Sequence, residues 1–191
     1  MLKRVIPFAH ELIQRTVRPG DIAVDATCGN GYDTVMLSQA VGKSGKVYAF
    51  DIQEKAIEQT RERLQKESLT NVQLILDSHE LLNQYLIEED RGKIAAATFN
   101  LGYLPGSDKK VITKPDATLA AIDQIVTQLK PGGIITCVVY YGHLGGEEEK
   151  NALLHHISQF EQKKFNVLQY GFINQKNKPP FLLAIEKKKT D

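Results

Sequence analysis

The sequence predicts an α/β fold, a doubly wound and mostly parallel sheet with helices on both faces. Three observations predict it. Short, β-branched and nearly apolar runs alternate with helix-periodic stretches along the chain, as strands buried on both faces alternate with their crossover helices. The first such run leads directly into a glycine-bearing turn, "CGNGYDT" at 28–34. Each unusual polar stretch then lies where a run ends, at the edge where right-handed crossovers leave a ligand crevice.

The elements follow in order. "MLKRVIPFAHELIQR" reads as an amphipathic helix over about 4–16, with Val5, Phe8, Leu12 and Ile13 on one face. Strands are expected at 21–26 (DIAVDA), 45–52 (GKVYAFDI), 71–77 (NVQLILD), 93–100 (KIAAATFN) and 134–141 (IITCVVYY). Between them the helical period predicts helices from Tyr32 to Val41, over 54–68 with Ala56, Ile57, Thr60 and Leu64 inward, from Glu80 to Glu88, and from Asp116 to Leu129. The last of these stops at "KPGG", a basic final turn followed by Pro and Gly. A helix at 146–161 and strands near 164–173 and 180–186 complete the chain, and Pro179 and Pro180 make those two strands an antiparallel hairpin rather than another crossover.

Composition narrows the function. At 191 residues the chain makes one domain, 1–191, and 42% hydrophobic with 25% charged residues is the balance of a soluble globular protein. There is no apolar run near the roughly 20 residues of a membrane span, and the N-terminus lacks a small-residue cleavage site. Cys28 and Cys137 are too few for a disulfide framework or a zinc site, so a cytoplasmic protein with no metal is expected. A net charge of +1 gives no overall pull on nucleic acid, so RNA binding must rest on local clusters: Lys109, Lys110 and Lys114, then Lys176 and Lys178.

The strand ends point to a nucleoside. Gly29 and Gly31 let the backbone turn sharply beside a helix start, whose N–H groups and dipole suit an anion. Taken alone, Gly-x-Gly also fits a strand–helix turn that binds nothing. Asp51, about 20 residues on, is placed to accept both ribose hydroxyls, and Asp77-Ser78-His79 follow along the same rim, where an adenine edge would lie. Taken singly, Asp51 and Ser78 also fit helix caps. A dinucleotide fingerprint wants a third glycine where Thr34 stands, and no arginine is nearby for phosphate. S-adenosylmethionine, an adenosine with a charged amino-acid tail and no phosphate, fits better, with Asp25 near its ammonium and the Asn30 turn near its carboxylate.

The sequence resembles the class I S-adenosylmethionine-dependent methyltransferases over nearly its whole length. "DATCGNGYDT", "DIQ" at 51–53, "DSHE" at 77–80, "FNLGYLPGSDK" at 99–109 and "ITKPDAT" at 112–118 are together similar to a small bacterial family labelled rRNA methylases. Characterised members of that family resemble the enzyme that methylates the aminomethyl group on the wobble uridine of tRNA. The resemblance implies a Rossmann-like seven-stranded sheet of order 3-2-1-4-5-7-6 with an extra N-terminal helix. It also implies cofactor contacts from Cys28, Asn30, Asp51, Gln53, Ser78 and His79; Gln53 alone also reads as an exposed first-turn residue.

On the acceptor side, "NLGYLPG" (100–106) stands where amine methyltransferases carry an Asn/Asp-Pro-Pro-aromatic motif. The resemblance gives Asn100 and Tyr103 the catalytic places, while Leu101 and Gly102 replace the prolines. Gly102 frees the backbone to turn a carbonyl to the acceptor. Pro105, Lys109, Tyr141 and His143 complete the expected substrate side, in the tRNA anticodon stem-loop reading. One of Tyr140 and Tyr141 would stack on a splayed uridine and the other face the core. His143 reads equally as a base or as a structural histidine. The lysines of 101–115 would meet phosphates. Three other readings stay open: a small-molecule methyltransferase, which the near-zero charge favours, a non-catalytic adenosine-binding protein, and a dehydrogenase, which Thr34 weakens. A homodimer would enlarge the RNA footprint of so small a chain.

Overall fold

The computed structural model describes residues 1–102 and 115–189. Its helices are α1 (Val5–Thr16), α2 (Tyr32–Val41), α3 (Glu54–Lys66), α4 (Leu82–Tyr85), α5 (Pro115–Gln128) and α6 (Gly146–Ser158). Its strands are β1 (Ile22–Asp25), β2 (Lys46–Asp51), β3 (Val72–Leu76), β4 (Ile94–Leu101), β5 (Leu129–Val139), β6 (Phe165–Tyr170) and β7 (Phe181–Lys187). They form one seven-stranded sheet of order β3-β2-β1-β4-β5-β7-β6. Pairing is parallel from β3 through β5, while β7 runs antiparallel to both β5 and β6.

Alternate side chains of the strands enter two cores, as the strand period requires. On one face Val24, Phe50, Phe99, Ile135 and Leu183 pack with Leu82, Ile122, Ile125, Leu153 and Ile157 of α4, α5 and α6. On the other, Ala23, Val47 and Ala96 pack with Ile13 of α1 and Leu37 and Val41 of α2, and Ala49 packs with Ile57 of α3. The small strand residues let the helices of this second face sit close to the sheet.

Helix α1 buries Val5, Ala9 and Ile13, with Phe8 and Leu12 half-buried beside them. It lies over β5 and β7 next to α2 and is held at its start by the Tyr170 hydroxyl, which donates to the Lys3 carbonyl at 2.6 Å. The helix expected to 161 ends at Ser158 and the strand expected to 173 ends at Tyr170; two elements differ more. In place of a helix over 80–88 there is a 3-10 turn, His79–Leu81, then the one-turn α4, and a second 3-10 turn, Glu88–Asp90. Tertiary contacts outweigh helical propensity here: Tyr85 turns back to donate to Asp77 at 2.6 Å, and Leu86 leaves in an extended conformation with its side chain in the core. Strand β5 also starts five residues early, because "KPGG" is a bulge within it: Ile94 pairs with Leu129, and Ala96 with Ile134. At Gly133 a Cβ would lie 2.9 Å from the Ile94 carbonyl, so the bulge requires glycine there.

No helix among the described residues is long and apolar enough to cross a membrane. Since Ile13 is fully buried where α1 meets α2, Ile13→Ala is expected to cost about 2–5 kcal/mol of stability. Urea unfolding of the variant against the parent checks this; an unchanged midpoint would mean that α1 is not docked on the sheet.

Candidate functional site

The carboxyl ends of β1, β2, β3 and β4 form one rim, carrying in turn Asp25, Asp51, Asp77 and Asn100. At the end of β1 the chain turns through Gly29 and Gly31, with φ +51° and +80°. The second position is closed to any other residue, since a Cβ there would lie 2.9 Å from Thr60 Oγ1 and 3.0 Å from Thr60 Cα on α3. The turn is fixed from three sides. Thr60 donates to the Gly29 carbonyl at 3.1 Å, Arg63 Nε donates to the Asn30 carbonyl at 2.8 Å, and the Gly29 N–H donates to Asp51 at 2.9 Å.

Asp51 is therefore a site organiser as well as a candidate ligand. One carboxylate oxygen takes the Gly29 N–H and the other takes the Gln53 N–H at 3.0 Å. Burial raises its pKa, and these N–H donors oppose the rise. Each oxygen retains a lone pair for a ribose hydroxyl. Gln53 is the N-cap residue of α3, half-buried and making no side-chain cap bond. Ile52, between Asp51 and Gln53, is 60% exposed, an apolar surface beside the Asp51 carboxylate that reading the sequence did not single out.

His79 carries a buried acceptor that the described residues leave unsatisfied. Nδ1 donates to the Ala26 carbonyl at 2.8 Å, which leaves Nε2 as the acceptor of a neutral ring. Burial lowers the pKa and keeps the ring neutral. Nε2 is buried and has no partner among the described residues. Such an orphan is costly unless something occupies it. The neighbouring Ser78 gives its N–H to Asp77 at 2.8 Å and makes no side-chain cap bond to the 3-10 turn.

Asp25 and Cys28 lie beneath the turn. Asp25 is fully buried; it accepts the Thr34 hydroxyl at 2.6 Å and the Thr27 N–H at 3.2 Å. Burial first, and the charge of Asp33 next, push its pKa up to about 8. The Cys28 thiol packs with Ala49 and Ile57, and burial pushes its pKa up. The amides of Gly29 and Gly31 serve Asp51 and the Cys28 carbonyl, so a ligand carboxylate is left with the Asn30 side chain and the first-turn amides of α2.

Asn100 stands at the far end of the rim. Its backbone N–H donates to Thr27 Oγ1 at 2.7 Å, and its side-chain amide donates to Asp33 at 2.6 Å. The other oxygen of Asp33 bonds His10 Nε2 at 2.7 Å, and that bond raises the histidine's pKa against the opposing effect of burial. Gly102 is tightly placed: a Cβ would sit 3.1 Å from the Tyr140 Cβ and 3.9 Å from His143 Nε2. The two tyrosines diverge. Tyr141 packs edge-on against Phe181, with the Lys150 ammonium 4.7 Å from its ring centroid, whereas Tyr140, beside Gly102, has its hydroxyl pKa raised by burial and by Asp33. Tyr140 is thus the ring that shares the Asn100 site. Tyr103, Pro105, Lys109, Lys110 and Lys114 lie outside the described residues. Among the described residues there is no group of three or more side chains that would hold a metal ion.

The family model described as "Putative rRNA methylase" matches residues 47–186. The chain belongs to that family. Membership places it among the methyltransferases, and a protein-L-isoaspartate O-methyltransferase model also matches residues 4–80. Two solved structures are similar over nearly the full length of both chains: a putative rRNA-methylase from Clostridium thermocellum (43% identity, 98% of this chain and 99% of that one, TM-score 0.94) and a putative methyltransferase from Streptococcus mutans in complex with SAH (46%, 98% and 99%, TM-score 0.89). A chloroplastic tRNA (mnm(5)s(2)U34)-methyltransferase of Arabidopsis thaliana is 41% identical over 156 residues, 77% of this chain and 56% of its own length. The chain spans about half the length of the curated relatives it matches.

Asp33, His10 and Ile52 are the residues that the sequence did not disclose. Asp33 occupies an ordinary place for an acid, the first turn of a helix, and its partners are 23 and 67 positions away. Asp25 yields a pH test. In the unfolded chain it ionises near pH 4 (about 3.9), so from there to about pH 8 the folded chain keeps a proton that the unfolded chain loses. Its contribution to stability is full below about pH 4 and is lost as pH rises through about 8. Urea unfolding at pH 5 and pH 9 should show Asp25→Asn gaining on the parent at the higher pH; an identical pH dependence would place the proton elsewhere.

Proposed function

We propose that the protein is an S-adenosylmethionine-dependent N-methyltransferase that converts the aminomethyl group of the tRNA wobble uridine to methylaminomethyl. The observation that carries this reading is the rim itself: a ribose-ready carboxylate, an orphaned acceptor at His79 Nε2 and the Asn100 amide at the carboxyl ends of β2, β3 and β4, with the glycine turn of β1 between. The fit to the cofactor is specific. Asp51 would hold the ribose, Ile52 and Gln53 the nucleoside, Ser78 and His79 the base edge through the His79 Nε2 lone pair, and the Asn30 turn the amino-acid tail. Asp25, fully buried and protonated below about pH 8, would support the turn through Thr34 and Thr27 and would not meet the tail's ammonium, against the sequence expectation. When bound, the cofactor supplies a methyl carbon activated by a sulfonium.

The protein's own part is orientation. In-line displacement with a good leaving group depends on holding the reactants together. The Asn100 oxygen and a carbonyl near Gly102 would accept the two N–H bonds of a neutral amine and direct its lone pair. Because a free alkylamine is mostly protonated at neutral pH, a proton must leave first. His143 is the candidate for that step by position: Nδ1 donates to the Leu144 carbonyl at 2.9 Å, and Nε2 lies on the Gly102 side. The tRNA substrate is supported by the Arabidopsis relative's name, and the loop of 171–180, with Lys176 and Lys178, offers cations near the acceptor side for an anticodon stem-loop. The free, buried Cys28 and Cys137 suit a reducing compartment, which we take to be the cytoplasm.

Mass spectrometry of tRNA nucleosides from a deletion strain tests the reading. Methylaminomethyl uridine should vanish and its aminomethyl precursor accumulate; an unchanged tRNA profile with a methyl lost from rRNA would transfer the activity to rRNA. In the purified enzyme Asp51→Ala should weaken cofactor affinity, by roughly 1.5–3 kcal/mol for each charge-assisted bond lost. Asn100→Ala should instead lower kcat with cofactor affinity largely kept. Calorimetric titration with cofactor separates the two, and equal losses of affinity would refute the division of roles.

A further inference from the structure

Asp33 joins three elements. It sits in the first turn of α2, and its two carboxylate oxygens are taken by side chains from elsewhere: His10 Nε2 of α1 at 2.7 Å and Asn100 Nδ2 at the end of β4 at 2.6 Å. Near neutral pH a carboxylate can only accept hydrogen bonds. The Asn100 atom facing it must therefore be the amide nitrogen, and the amide oxygen must point the other way. The backbone of Asn100 is held independently by Thr27 Oγ1 at 2.7 Å. With both ends fixed, the amide has a single orientation.

That orientation decides what the site accepts. An amide held by its nitrogen presents an acceptor, which suits a substrate with N–H bonds to donate. Rotated by half a turn, the same side chain would present two N–H donors, which would engage the amine's lone pair and leave its N–H bonds without an acceptor. His10 matters because it holds the carboxylate through its second oxygen, so Asp33 cannot swing away from Asn100. The N-terminal helix thus reaches the acceptor site through one ring nitrogen, besides covering the sheet.

We propose that Asp33, clamped by His10, is a positioning residue that locks the Asn100 amide with its oxygen toward the acceptor and so selects an aliphatic amine bearing N–H bonds. This rests on the methyltransferase reading above. Kinetics on tRNA with aminomethyl uridine at the wobble position, using the full chain, are the test. Asp33→Leu removes the acceptor for the amide nitrogen and should lower kcat about 100-fold, the scale of a misplaced reacting group, with the KM for the cofactor unchanged. Asp33→Asn keeps an oxygen for that nitrogen and should recover most of the rate.

An Asp33→Asn enzyme as slow as Asp33→Leu would show that charge, not orientation, is what Asp33 supplies, and would overturn the proposal; so would a fully active Asp33→Leu. A second readout is independent of turnover. In the proton–nitrogen NMR spectrum the Asn100 side-chain amide should be protected from exchange in the parent and in Asp33→Asn, and should lose that protection in Asp33→Leu. If the parent methylates no tRNA, the functional reading fails while this resonance still decides the orientation, retained protection in Asp33→Leu counting against it. If Asp33→Leu does not fold, His10→Phe unpins the carboxylate without removing it. It should lower kcat with the KM for the cofactor unchanged, and an unaltered kcat would overturn the clamp.

Discussion

The structure is organised around the turn that leaves β1. Its two left-handed glycines give the chain a path that side chains would block, and Asp51, Thr60 and Arg63 hold that path from α3 and the end of β2. The helix that follows can start only where this turn releases it, so the position of Asp33, and through it of Asn100, depends on the same few bonds. The glycines answer first to α3: Gly31 is needed because Thr60 fills the space a Cβ would take. Openness to a ligand comes as a consequence of that packing.

Most of the fold was legible in the sequence because most of it is periodic. Strands buried on both faces have to be apolar runs, and crossover helices have to alternate with them, so the sheet and its closing hairpin could be read residue by residue. The misread elements are those where distant contacts outweigh local preference. Residues 80–88 have helical spacing, yet the Tyr85–Asp77 bond and the burial of Leu86 limit them to a 3-10 turn and a single helical turn. "KPGG" reads as a stop, and it becomes a bulge because β4 offers pairing partners on both sides of it.

The candidate site was legible to the extent that its residues mark strand ends. Asp51, Ser78, His79 and Asn100 could be singled out because polarity interrupts an apolar run. Asp33 and His10 could not, since each looks ordinary in its own helix and gains meaning only from a partner far along the chain. Tyr140 and Tyr141 show the same limit. Adjacent residues on a strand face opposite sides, but only the packing of Phe181 and Lys150 on Tyr141 shows which side belongs to which ring.

The reversed direction of β7 governs how this architecture can diversify. Because β6 rises beside β7 and β7 descends beside β5, the connection at 171–180 opens at the same end as the crevice, where Lys178 pairs with Glu147 of α6 at 3.1 Å. A further parallel crossover would have spent that length on a helix across the sheet. The hairpin leaves it as a free margin, whose length and charge can change without disturbing a strand pairing. Changes there would leave the strand ends that carry Asp25, Asp51 and Asn100 as they are.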